Sequence, residues 1–291
     1  MKFGFSSYSF NQRLSTGDMS MLDVIDWVAE SDGEHLEIAV TSNAADGPIP
    51  TIDSDPAYVQ SLKKKAADAG IELSQLAVGA NLFDEPDAVR GEIERVKKYV
   101  DMAESLGITL MRHDVAMRNE KGDDTPVFDK ALPIIVEAAQ EIADYAADHG
   151  VTTSLENHGF FVQASDRVRR VVLGVDRPNY KTTLDIGNFL CVDEDPTTAV
   201  PQNLPYASIV HLKDFYVRDQ DPGEGFFRSR GGKYLRGAIV GQGDINMRSV
   251  IKSVKDSGYD GYVSIEFEGH EDCLVGCRRG ISNAIRLYDK A

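Results

Sequence analysis

The sequence predicts a single (β/α)8 barrel of the TIM type that spans residues 1–291. Eight short runs rich in β-branched and aromatic residues alternate with about eight amphipathic segments, and such alternation is typical of a parallel sheet covered by helices. A chain of 291 residues, 42% of them hydrophobic, can bury a full core. Its length also allows two domains of about 150 residues each. Because no linker divides the sequence, we expect one α/β barrel domain.

The predicted strands are the short runs in which β-branched and aromatic residues concentrate. In chain order they are Lys2–Phe10, His35–Val40, Ile71–Val78, Ile108–Val115, Val151–His158, Lys181–Asn188, Ala207–Phe215 and Tyr262–Gly269. Each is followed by a predicted helix, and these helices are Ser20–Glu30, Ala57–Ala69, Asp87–Leu106, Lys130–His149, Asp166–Leu173, Thr197–Leu204, Ile245–Ser257 and Asp272–Tyr288. Glycines suited to end a helix follow four of them, at Gly70, Gly107, Gly150 and Gly258. The pattern supplies the eight βα units of a closed barrel.

The longest connection, Tyr216–Asp244, follows the seventh predicted strand and is rich in glycine. It carries five cations in an otherwise acidic chain, at Arg218, Arg228, Arg230, Lys233 and Arg236. Loops at the C-terminal end of barrel strands build the active site, and loops longer than about 15 residues are usually functional or disordered. We therefore interpret this segment as a candidate lid, with a solvated surface excursion as the alternative.

The charge balance argues against several classes of partner. The chain has 31 Lys and Arg against 47 Asp and Glu, a net charge of −16, and such a field repels nucleic acid and anionic membranes. No run approaches 18 consecutive apolar residues, and the N-terminus lacks the pattern of an export signal. Three cysteines are not the even set of a disulfide framework. We therefore expect a cytoplasmic protein that binds neither nucleic acid nor membranes.

Four side chains of the kind that bind metals lie near the C-terminal ends of four predicted strands: Glu156, Asp185, His211 and Glu266. In a barrel these strand ends meet at one face. Three carboxylates cannot be buried together uncompensated, because each anion loses its hydration and the like charges repel. One divalent cation resolves this conflict, and oxygen ligands with one nitrogen suit Mn²⁺, Mg²⁺ or Co²⁺, with Zn²⁺ also compatible. For any one of these acids alone, a buried salt bridge is the alternative.

The strings around these residues are Ser-Leu-Glu156-Asn-His-Gly, Thr-Leu-Asp185-Ile-Gly-Asn, His211-Leu-Lys-Asp and Ser-Ile-Glu266-Phe-Glu-Gly. A fifth string, Gly241-Gln-Gly-Asp-Ile-Asn, precedes the seventh predicted helix. Together they resemble the xylose isomerase-like TIM barrel superfamily, which contains sugar phosphate isomerases and epimerases and the family 2 AP endonucleases. The resemblance spans nearly the whole chain.

This resemblance implies that all four residues bind one divalent metal and that the substrate is a sugar or a sugar phosphate. It further implies isomerase or epimerase chemistry, in which a proton is removed next to a metal-bound carbonyl through an enediolate. In the ketose 3-epimerases of this superfamily the paired ligand glutamates are also the acid and the base. The resemblance thus implies catalytic roles for Glu156 and Glu266.

Several neighbours of these residues are predicted to contact the substrate. His158 shares a strand face with Glu156 and could orient substrate oxygens or act as a base, with a structural histidine as the alternative. Lys213 is predicted to pair with Glu268 or with a substrate oxygen. Asn188 stands where the ketose 3-epimerases and the endonucleases place a histidine, which weakens a simple 3-epimerase assignment.

Three further candidates come from strand ends and from the basic loop. His113 and Asp114 end the fourth predicted strand, and alternation admits only one of them to the barrel interior. Glu37 ends the second strand and is predicted to point into the pocket if the register of the strand allows it. Arg218, with its cationic neighbours in the loop, would bind the anionic group of a phosphorylated or acidic substrate.

Other functions stay open at this point. A lyase would use the same proton abstraction and then expel a β-oxygen, which would dehydrate a keto-inositol or cleave a 3-keto-glycoside. A barrel that binds metal and sugar without catalysis is the second alternative. DNA cleavage is disfavoured by the net charge of −16 and by the lack of the Asp-x-His string that the endonucleases carry after the seventh strand. Many members of the superfamily are dimers or tetramers, so a homo-oligomer is compatible with the sequence.

Overall fold

The computed structural model describes residues 1–40, 55–116 and 124–291 and contains a closed barrel of eight parallel strands. These are β1 (Lys2–Ser6), β2 (His35–Val40), β3 (Glu72–Val78), β4 (Leu110–His113), β5 (Thr152–Glu156), β6 (Tyr180–Asp185), β7 (Ala207–Leu212) and β11 (Tyr262–Ile265). Three others, β8 (Asp214–Arg218), β9 (Phe227–Arg228) and β10 (Tyr234–Ala238), form a separate antiparallel sheet. Because β11 pairs with both β7 and β1, the ring closes, which confirms the predicted TIM barrel.

Helices cover the outer face of the barrel and bury their apolar sides against it. They are α2 (Met21–Ala29), α3 (Pro56–Ala69), α4 (Pro86–Leu106), α5 (Thr125–Asp148), α6 (Ser165–Val175), α7 (Pro196–Asn203), α8 (Met247–Asp256) and α9 (Cys273–Asp289). The short helix α1 (Asn11–Leu14) buries none of its residues. Gly70 and Gly107 end α3 and α4 in the left-handed conformation, with φ of 71° and 78°, as the sequence predicted. Helix α5 begins earlier than the predicted Lys130 because the Asp124 side chain accepts a hydrogen bond from the Val127 amide and caps it.

The first strand is shorter than predicted. The run Lys2–Phe10 leaves the sheet at Ser6 and continues as a 3-10 turn over Ser7–Phe10, in which the Ser6 hydroxyl accepts a hydrogen bond from the Tyr8 amide. A serine hydroxyl that bonds a nearby amide competes in this way with the sheet ladder. The turn carries Tyr8 to the mouth of the barrel, where its side chain lines a cavity.

The segment Tyr216–Asp244, interpreted above as a lid or a solvated loop, contains most of the small sheet β8–β10. Its strand β10 pairs antiparallel with β8, which places Arg236 opposite Tyr216. Gly237 also bridges to Gly269, just beyond β11. A Cβ atom on Gly237 would lie 2.3 Å from the carbonyl oxygen of Glu268, so only glycine permits this approach. The basic segment is therefore a small sheet attached to the barrel mouth.

Asp214 connects two of the strings noted in the sequence. Its Oδ2 accepts hydrogen bonds from the amides of Gly241 and Gly243, both at 2.9 Å, and its Oδ1 accepts from the Phe215 amide at 2.9 Å. Burial raises the pKa of Asp214 to about 6, and the amide donors oppose this rise. A Cβ atom on Gly243 would lie 2.2 Å from Oδ1. The glycines of the Gly-Gln-Gly string thus anchor the exit of the small sheet to the end of β7.

The N-terminal end of the barrel holds a buried histidine, His35. Its Nδ1 lies 2.9 Å from the Ser74 hydroxyl and its Nε2 lies 3.3 Å from the Val263 carbonyl. A Cβ atom on Gly4 would lie 2.2 Å from the His35 carbonyl oxygen, so a glycine is required beside it. Burial lowers the pKa of His35 to about 4. The ring is therefore neutral in the folded protein at neutral pH.

We expect folding stability to fall as the pH drops from 6.5 to about 4, and the His35→Gln variant to lose this part of the fall. Within that window the unfolded chain binds a proton at His35 that the folded protein excludes, because the folded pKa lies below the ordinary value. The full effect is about 3 kcal/mol. Urea unfolding of both proteins above and below the window measures it, and NMR titration of the ring gives the pKa directly. Parallel losses in the two proteins would contradict the assignment.

Among the helices of the described ranges, none combines the length and the apolar composition needed to cross a membrane. The three cysteines, Cys191, Cys273 and Cys277, are free and buried. Cys273 and Cys277 lie on the buried face of α9, where they pack in the main core. They therefore act there as small apolar side chains.

Candidate metal centre and substrate cavity

The four predicted ligands meet at the C-terminal mouth of the barrel. Glu156 ends β5 and Asp185 ends β6. His211 lies in β7 beside the end of β6, and Glu266 directly follows β11. One nitrogen or oxygen atom from each lies within 4.8 Å of those of the other three, and all four residues are buried. Parallel strands direct their last inward side chains to the same point. We name these four residues the ligand cluster.

Asp185 is fixed by the backbone that follows it. Its Oδ1 accepts hydrogen bonds from the amides of Gly187 at 2.7 Å and Asn188 at 2.9 Å. Asn157 binds the Asp185 backbone on both sides, accepting from its amide at 2.9 Å and donating to its carbonyl at 2.7 Å. A Cβ atom on Gly187 would lie 2.9 Å from Cβ of Lys213, so the turn needs glycine. These contacts leave Oδ2 of Asp185 directed into the ligand cluster.

Each glutamate of the cluster faces a cation with one oxygen and the cluster with the other. The guanidinium of Arg112 lies 2.5 Å from Oε2 of Glu156, and the ammonium of Lys213 lies 2.6 Å from Oε2 of Glu266. The Oε1 atoms lie 3.9 Å (Glu156) and 3.6 Å (Glu266) from Nδ1 of His211. Two cations thus offset part of the buried negative charge while one oxygen of each glutamate stays turned to the centre.

Two buried atoms of the cluster lack a hydrogen-bond partner in the described part of the chain. They are Oδ2 of Asp185 and Nδ1 of His211. The Lys213 ammonium is 3.2 Å from Asp185 Oδ2, close enough for an ion pair but without hydrogen-bond geometry. Buried polar atoms are rarely left unpaired unless they bind something. Since both are atoms that ligate divalent metals, the residues fit one divalent ion.

His211 is held from behind by Glu37. Its Nε2 lies 2.6 Å from Oε2 of Glu37, which also accepts a hydrogen bond from the Ser264 hydroxyl at 3.3 Å. An imidazole that donates from Nε2 to a carboxylate offers Nδ1 as a lone pair. Carboxylates placed in this way behind a ligand histidine fix its tautomer and ring orientation. The predicted pocket residue Glu37 therefore lies behind His211.

Replacing Glu37 by alanine is expected to weaken the binding of a divalent metal by about 10- to 100-fold, because His211 loses the partner that aims Nδ1. Glu37→Gln, whose amide oxygen still accepts the hydrogen bond, should lose less. Calorimetric titration of the metal-free proteins with Mn²⁺ measures the effect. The matched control is Glu30→Gln, at an exposed position just after α2. Equal affinity in Glu37→Ala and the control would contradict this role.

The charges of the site shift several pKa values. Burial lowers the pKa of Lys213, but Asp185 and Glu266 outweigh it and raise it well above its usual range. Burial raises the pKa of Glu266, but Lys213 and His211 hold it well below its usual range. For Asp185 burial prevails, and its pKa is raised even though Lys213 opposes the shift. Asp185 is therefore a carboxylate whose burial the nearby cations do not offset.

Lys213 and Asn188, both predicted as substrate contacts, lie in this network. Besides the two cluster carboxylates, Lys213 approaches Oε1 of Glu268 at 3.4 Å and donates to Oδ1 of Asn188 at 3.3 Å. The side-chain nitrogen of Asn188, Nδ2, in turn donates to Oε1 of Glu156 at 3.1 Å. The asparagine in the place of a family histidine thus connects Lys213 with the first glutamate.

Arg112 is a site residue that sequence reasoning missed. Its guanidinium lies 3.0 Å from Oδ1 of Asp114 as well as against Glu156. His158, about one-third exposed, lies 3.4 Å from the same Asp114 oxygen. Asp114, Glu156 and His158 come together as a second group that could hold a metal, but Arg112 already supplies its positive charge. The sequence does hold one indication of its role: side chains alternate between the faces of a strand, so Arg112 lies on the same side as Asp114.

Two predicted contacts lie away from the cluster. His113 occupies the opposite face of β4, where its ring packs 6.0 Å from that of Tyr180 and its Nδ1 lies 3.0 Å from the Asp114 carbonyl. Arg218 is half exposed on β8 and pairs with Asp244 at 3.0 Å. Neither lines the cavity beside the cluster, so the structure does not bring them to the candidate site.

A cavity of about 290 Å³ opens beside the cluster. Its walls combine polar and aromatic groups, from His158, Phe160, Asn188, Lys213, Phe215 and Glu268 among others. Phe160 has a left-handed φ of 68°, and its amide donates to Oε1 of Gln163 at 2.6 Å. Backbone strain of this kind concentrates at functional sites. A cavity with apolar walls and a few convergent polar groups suits a small polar molecule.

The chain is similar to several known proteins. Over 227 residues it is 21% identical to an inosose dehydratase of Geobacillus thermodenitrificans. The aligned region covers 73% of this chain and 74% of the relative. The structure of the IOLI protein with a bound zinc atom matches with a TM-score of 0.77, 16% identity and coverage of 100% of this chain and 99% of that one. A D-allulose 3-epimerase from Methylomonas in complex with D-allulose matches with a TM-score of 0.72, 16% identity and coverage of 100% and 96%. At these identities the two structures show a shared fold.

Residues 25–290 match the family described as the xylose isomerase-like TIM barrel. The match covers the helices and strands from α2 to α9, including all four residues of the ligand cluster. It confirms the resemblance carried by the strings in the sequence. The chain therefore belongs to the xylose isomerase-like TIM barrel family.

Proposed function

We propose that this protein is a divalent-metal-dependent sugar isomerase or epimerase that removes and returns a proton next to a carbonyl group. The observation that carries the proposal is the ligand cluster, in which Asp185 Oδ2 and His211 Nδ1 are buried without hydrogen-bond partners beside an open cavity. The D-allulose complex of a structural neighbour agrees with a sugar as substrate. Location in the cytoplasm and oligomeric state stay predictions.

The two glutamates are the proposed acid and base. When bound, a divalent ion such as Mn²⁺, Mg²⁺, Co²⁺ or Zn²⁺ supplies Lewis acidity for the negative charge that develops on the substrate oxygens. Glu156 and Glu266 each direct one oxygen to the cluster and keep the other on a fixed cation. One of them removes the proton from the carbon beside the carbonyl, and the other returns a proton.

Three cavity residues are the proposed substrate contacts. Lys213 and Asn188 present an ammonium and an amide at the boundary between the cluster and the cavity. His158 contacts Asp114 through Nδ1, and the residue lines the cavity. Such groups orient the hydroxyls of a sugar so that the reacting carbon lies against a glutamate. Aromatic walls at Phe160 and Phe215 exclude water from the reacting atoms.

A lyase is the second candidate, and the relative named inosose dehydratase favours it. In this reaction Glu156 or Glu266 removes the proton next to the carbonyl, the electron pair forms a carbon–carbon double bond, and the β-oxygen leaves. His158 is placed at the cavity wall to protonate that oxygen. The two candidates differ only in whether the proton returns to carbon or a leaving group departs.

Metal analysis combined with hydrogen exchange tests the proposal. The purified chain, stripped with EDTA and reloaded, should retain about one divalent ion per chain. Incubated in D₂O with a panel of ketoses and a keto-inositol, it should introduce deuterium at one carbon of a substrate, read by NMR. An epimer or isomer as product supports the first candidate, and an unsaturated product supports the lyase. No metal under any loading condition, or metal without exchange or elimination, would overturn the proposed function.

A further inference from the structure

A second cavity of about 390 Å³ adjoins the first. The two share Phe227 and Glu268 as wall residues. We name the cavity beside the ligand cluster the reaction lobe and the larger one the distal lobe. Residues after β1, from the small sheet and after β11 form the distal lobe, including Tyr8, Arg236, Phe267 and His270. The site therefore has room for a substrate that extends beyond the reacting carbons.

Arg236 is the cation that the small sheet contributes to the distal lobe. Its guanidinium lies between two aromatic rings, 5.1 Å from the centre of the Tyr216 ring and 4.9 Å from that of Phe226. Tyr216 is its cross-strand neighbour, so the pairing of β8 with β10 sets this contact. Cation–π contacts of this kind use none of the N–H donors of the guanidinium, so these donors stay available for a ligand.

No carboxylate or hydrogen-bond acceptor in the described ranges pairs with Arg236. Two other cations of the loop are paired. Arg218 pairs with Asp244, and Arg230 donates to the Phe160 carbonyl at 2.6 Å. A half-buried guanidinium whose donors are unpaired favours an oxyanion that accepts two hydrogen bonds, either a carboxylate or a phosphate. Since the chain as a whole repels anions, with a net charge of −16, a local cation is what such a ligand requires.

Arg236 is also fixed relative to the ligand cluster. The next residue, Gly237, bridges to Gly269 and lies against the Glu268 carbonyl, an approach that a Cβ atom would prevent. The Glu268 side chain points back to Lys213, whose ammonium is 3.4 Å away. In the same cavity, Gly225 with φ of 87° packs against the ring of His270, where a Cβ atom would lie 2.3 Å from Cε1. Glycine contacts thus position the small sheet over the mouth.

We propose that the distal lobe binds an anionic group of the substrate, a carboxylate or a phosphate, and that Arg236 is its ligand. The anion would be carried on the same molecule as the reacting carbonyl, with Phe227 and Glu268 between the two ends. This inference rests on the proposed function for the identity of the reaction lobe. The shared chemistry is a planar or tetrahedral oxyanion that accepts a bidentate guanidinium contact.

A matched series of ketoses tests the inference on the Mn²⁺-loaded full chain. The probes are D-fructose, D-fructose 6-phosphate and D-fructuronate, which differ only in the group at the end of the carbon chain. Calorimetry should show at least about tenfold tighter binding of one charged probe than of D-fructose. Arg236→Gln should remove that preference, and Arg236→Lys should keep part of it. The control is Arg248→Gln, an exposed arginine on α8 with the same change of charge.

The two charged probes distinguish a phosphate site from a carboxylate site. Equal affinity of the wild type for all three probes, no detectable binding of either charged probe, or a preference that survives in Arg236→Gln would overturn the inference. Deuterium exchange on the same samples separates it from the proposed function. The wild type could bind a charged probe more tightly through Arg236 and yet introduce no deuterium into any probe. That result would support the anion site and remove the isomerase or epimerase assignment.

Discussion

Replacing Glu266 by glutamine is expected to lower the rate of proton exchange into the substrate by about 10²- to 10⁴-fold. Glutamine keeps the shape of the side chain and an oxygen toward His211, whose Nδ1 lies 3.6 Å from Oε1 in the wild type. It cannot accept a proton from carbon at neutral pH. Because the amide is also a weaker metal ligand than the carboxylate, the comparison is made at saturating Mn²⁺. Under that condition the loss should fall on turnover, while sugar binding changes much less.

Glu156→Gln should give a loss of the same order, since the proton must be returned as well as removed. Deuterium incorporation in D₂O, with ligand affinity measured separately by calorimetry, separates catalysis from binding. Glu137→Gln, an exposed position on α5, supplies the matched control. If both cluster variants exchange at the control rate, the glutamates are not the acid and base, and a barrel that only binds metal and sugar becomes the better description.

The ligand cluster was predictable because its signal is local and repeated. Glu156, Asp185, His211 and Glu266 each interrupt an apolar strand near its end, and the parallel barrel brings the ends of such strands together. The partners of the cluster carry no such signal. Glu37 lies 174 residues from His211 in the chain, and its role depends on which face of β2 turns inward. Periodicity within one strand cannot supply the register between strands.

Arg112 and Arg236 show the same limit in another form. A cation in an apolar strand or in a glycine-rich loop is usually explained by solvent exposure. Strand alternation connects Arg112 with Asp114 alone, and the local sequence indicates neither its contact with Glu156 nor the surroundings of Arg236. Arg112 becomes a site residue through Glu156 on the neighbouring strand, at 2.5 Å. Arg236 becomes a cavity residue because Gly237 permits a close approach to the end of β11. In both cases tertiary contacts decide the role.

The small sheet β8–β10 was missed for a related reason. Its strands are short, and β10 contains the string Tyr-Leu-Arg-Gly-Ala, in which a glycine weakens the strand pattern. Its stability comes from outside the segment, through the Asp214 carboxylate that binds the amides of Gly241 and Gly243. Leu235 adds to this by packing with Phe215 and Cys191 in a separate apolar cluster. A segment fixed by such distant contacts reads as a loop in the sequence.

Replacing Asp185 by asparagine is expected to have two effects of opposite sign. The variant should lose the bound divalent ion, because the amide that replaces Oδ2 is a poor ligand compared with a carboxylate. The metal-free variant should be more stable than the metal-free wild type, by at least about 1 kcal/mol. Burial raises the pKa of Asp185, so its ionised form destabilises the folded protein above that pKa, and asparagine removes this penalty. Asparagine can still accept the amide hydrogen bonds of Gly187 and Asn188 with its oxygen.

Metal content after reloading and thermal unfolding with and without Mn²⁺ measure both effects in one protein. The comparison variant is His211→Ala, which should also lose the metal. This variant leaves Asp185 ionised and opens a cavity, so its metal-free form should be less stable than the metal-free wild type. Added Mn²⁺ should raise the midpoint of unfolding for the wild type and for neither variant. An Asp185→Asn protein that is less stable than the metal-free wild type would show that Lys213 already compensates the carboxylate. In that case the contact between Lys213 and Asp185 would stabilise the metal-free protein as a buried ion pair. The assignment of a metal centre itself would fail if the reloaded wild type held no divalent ion, or if both variants kept the metal content of the wild type.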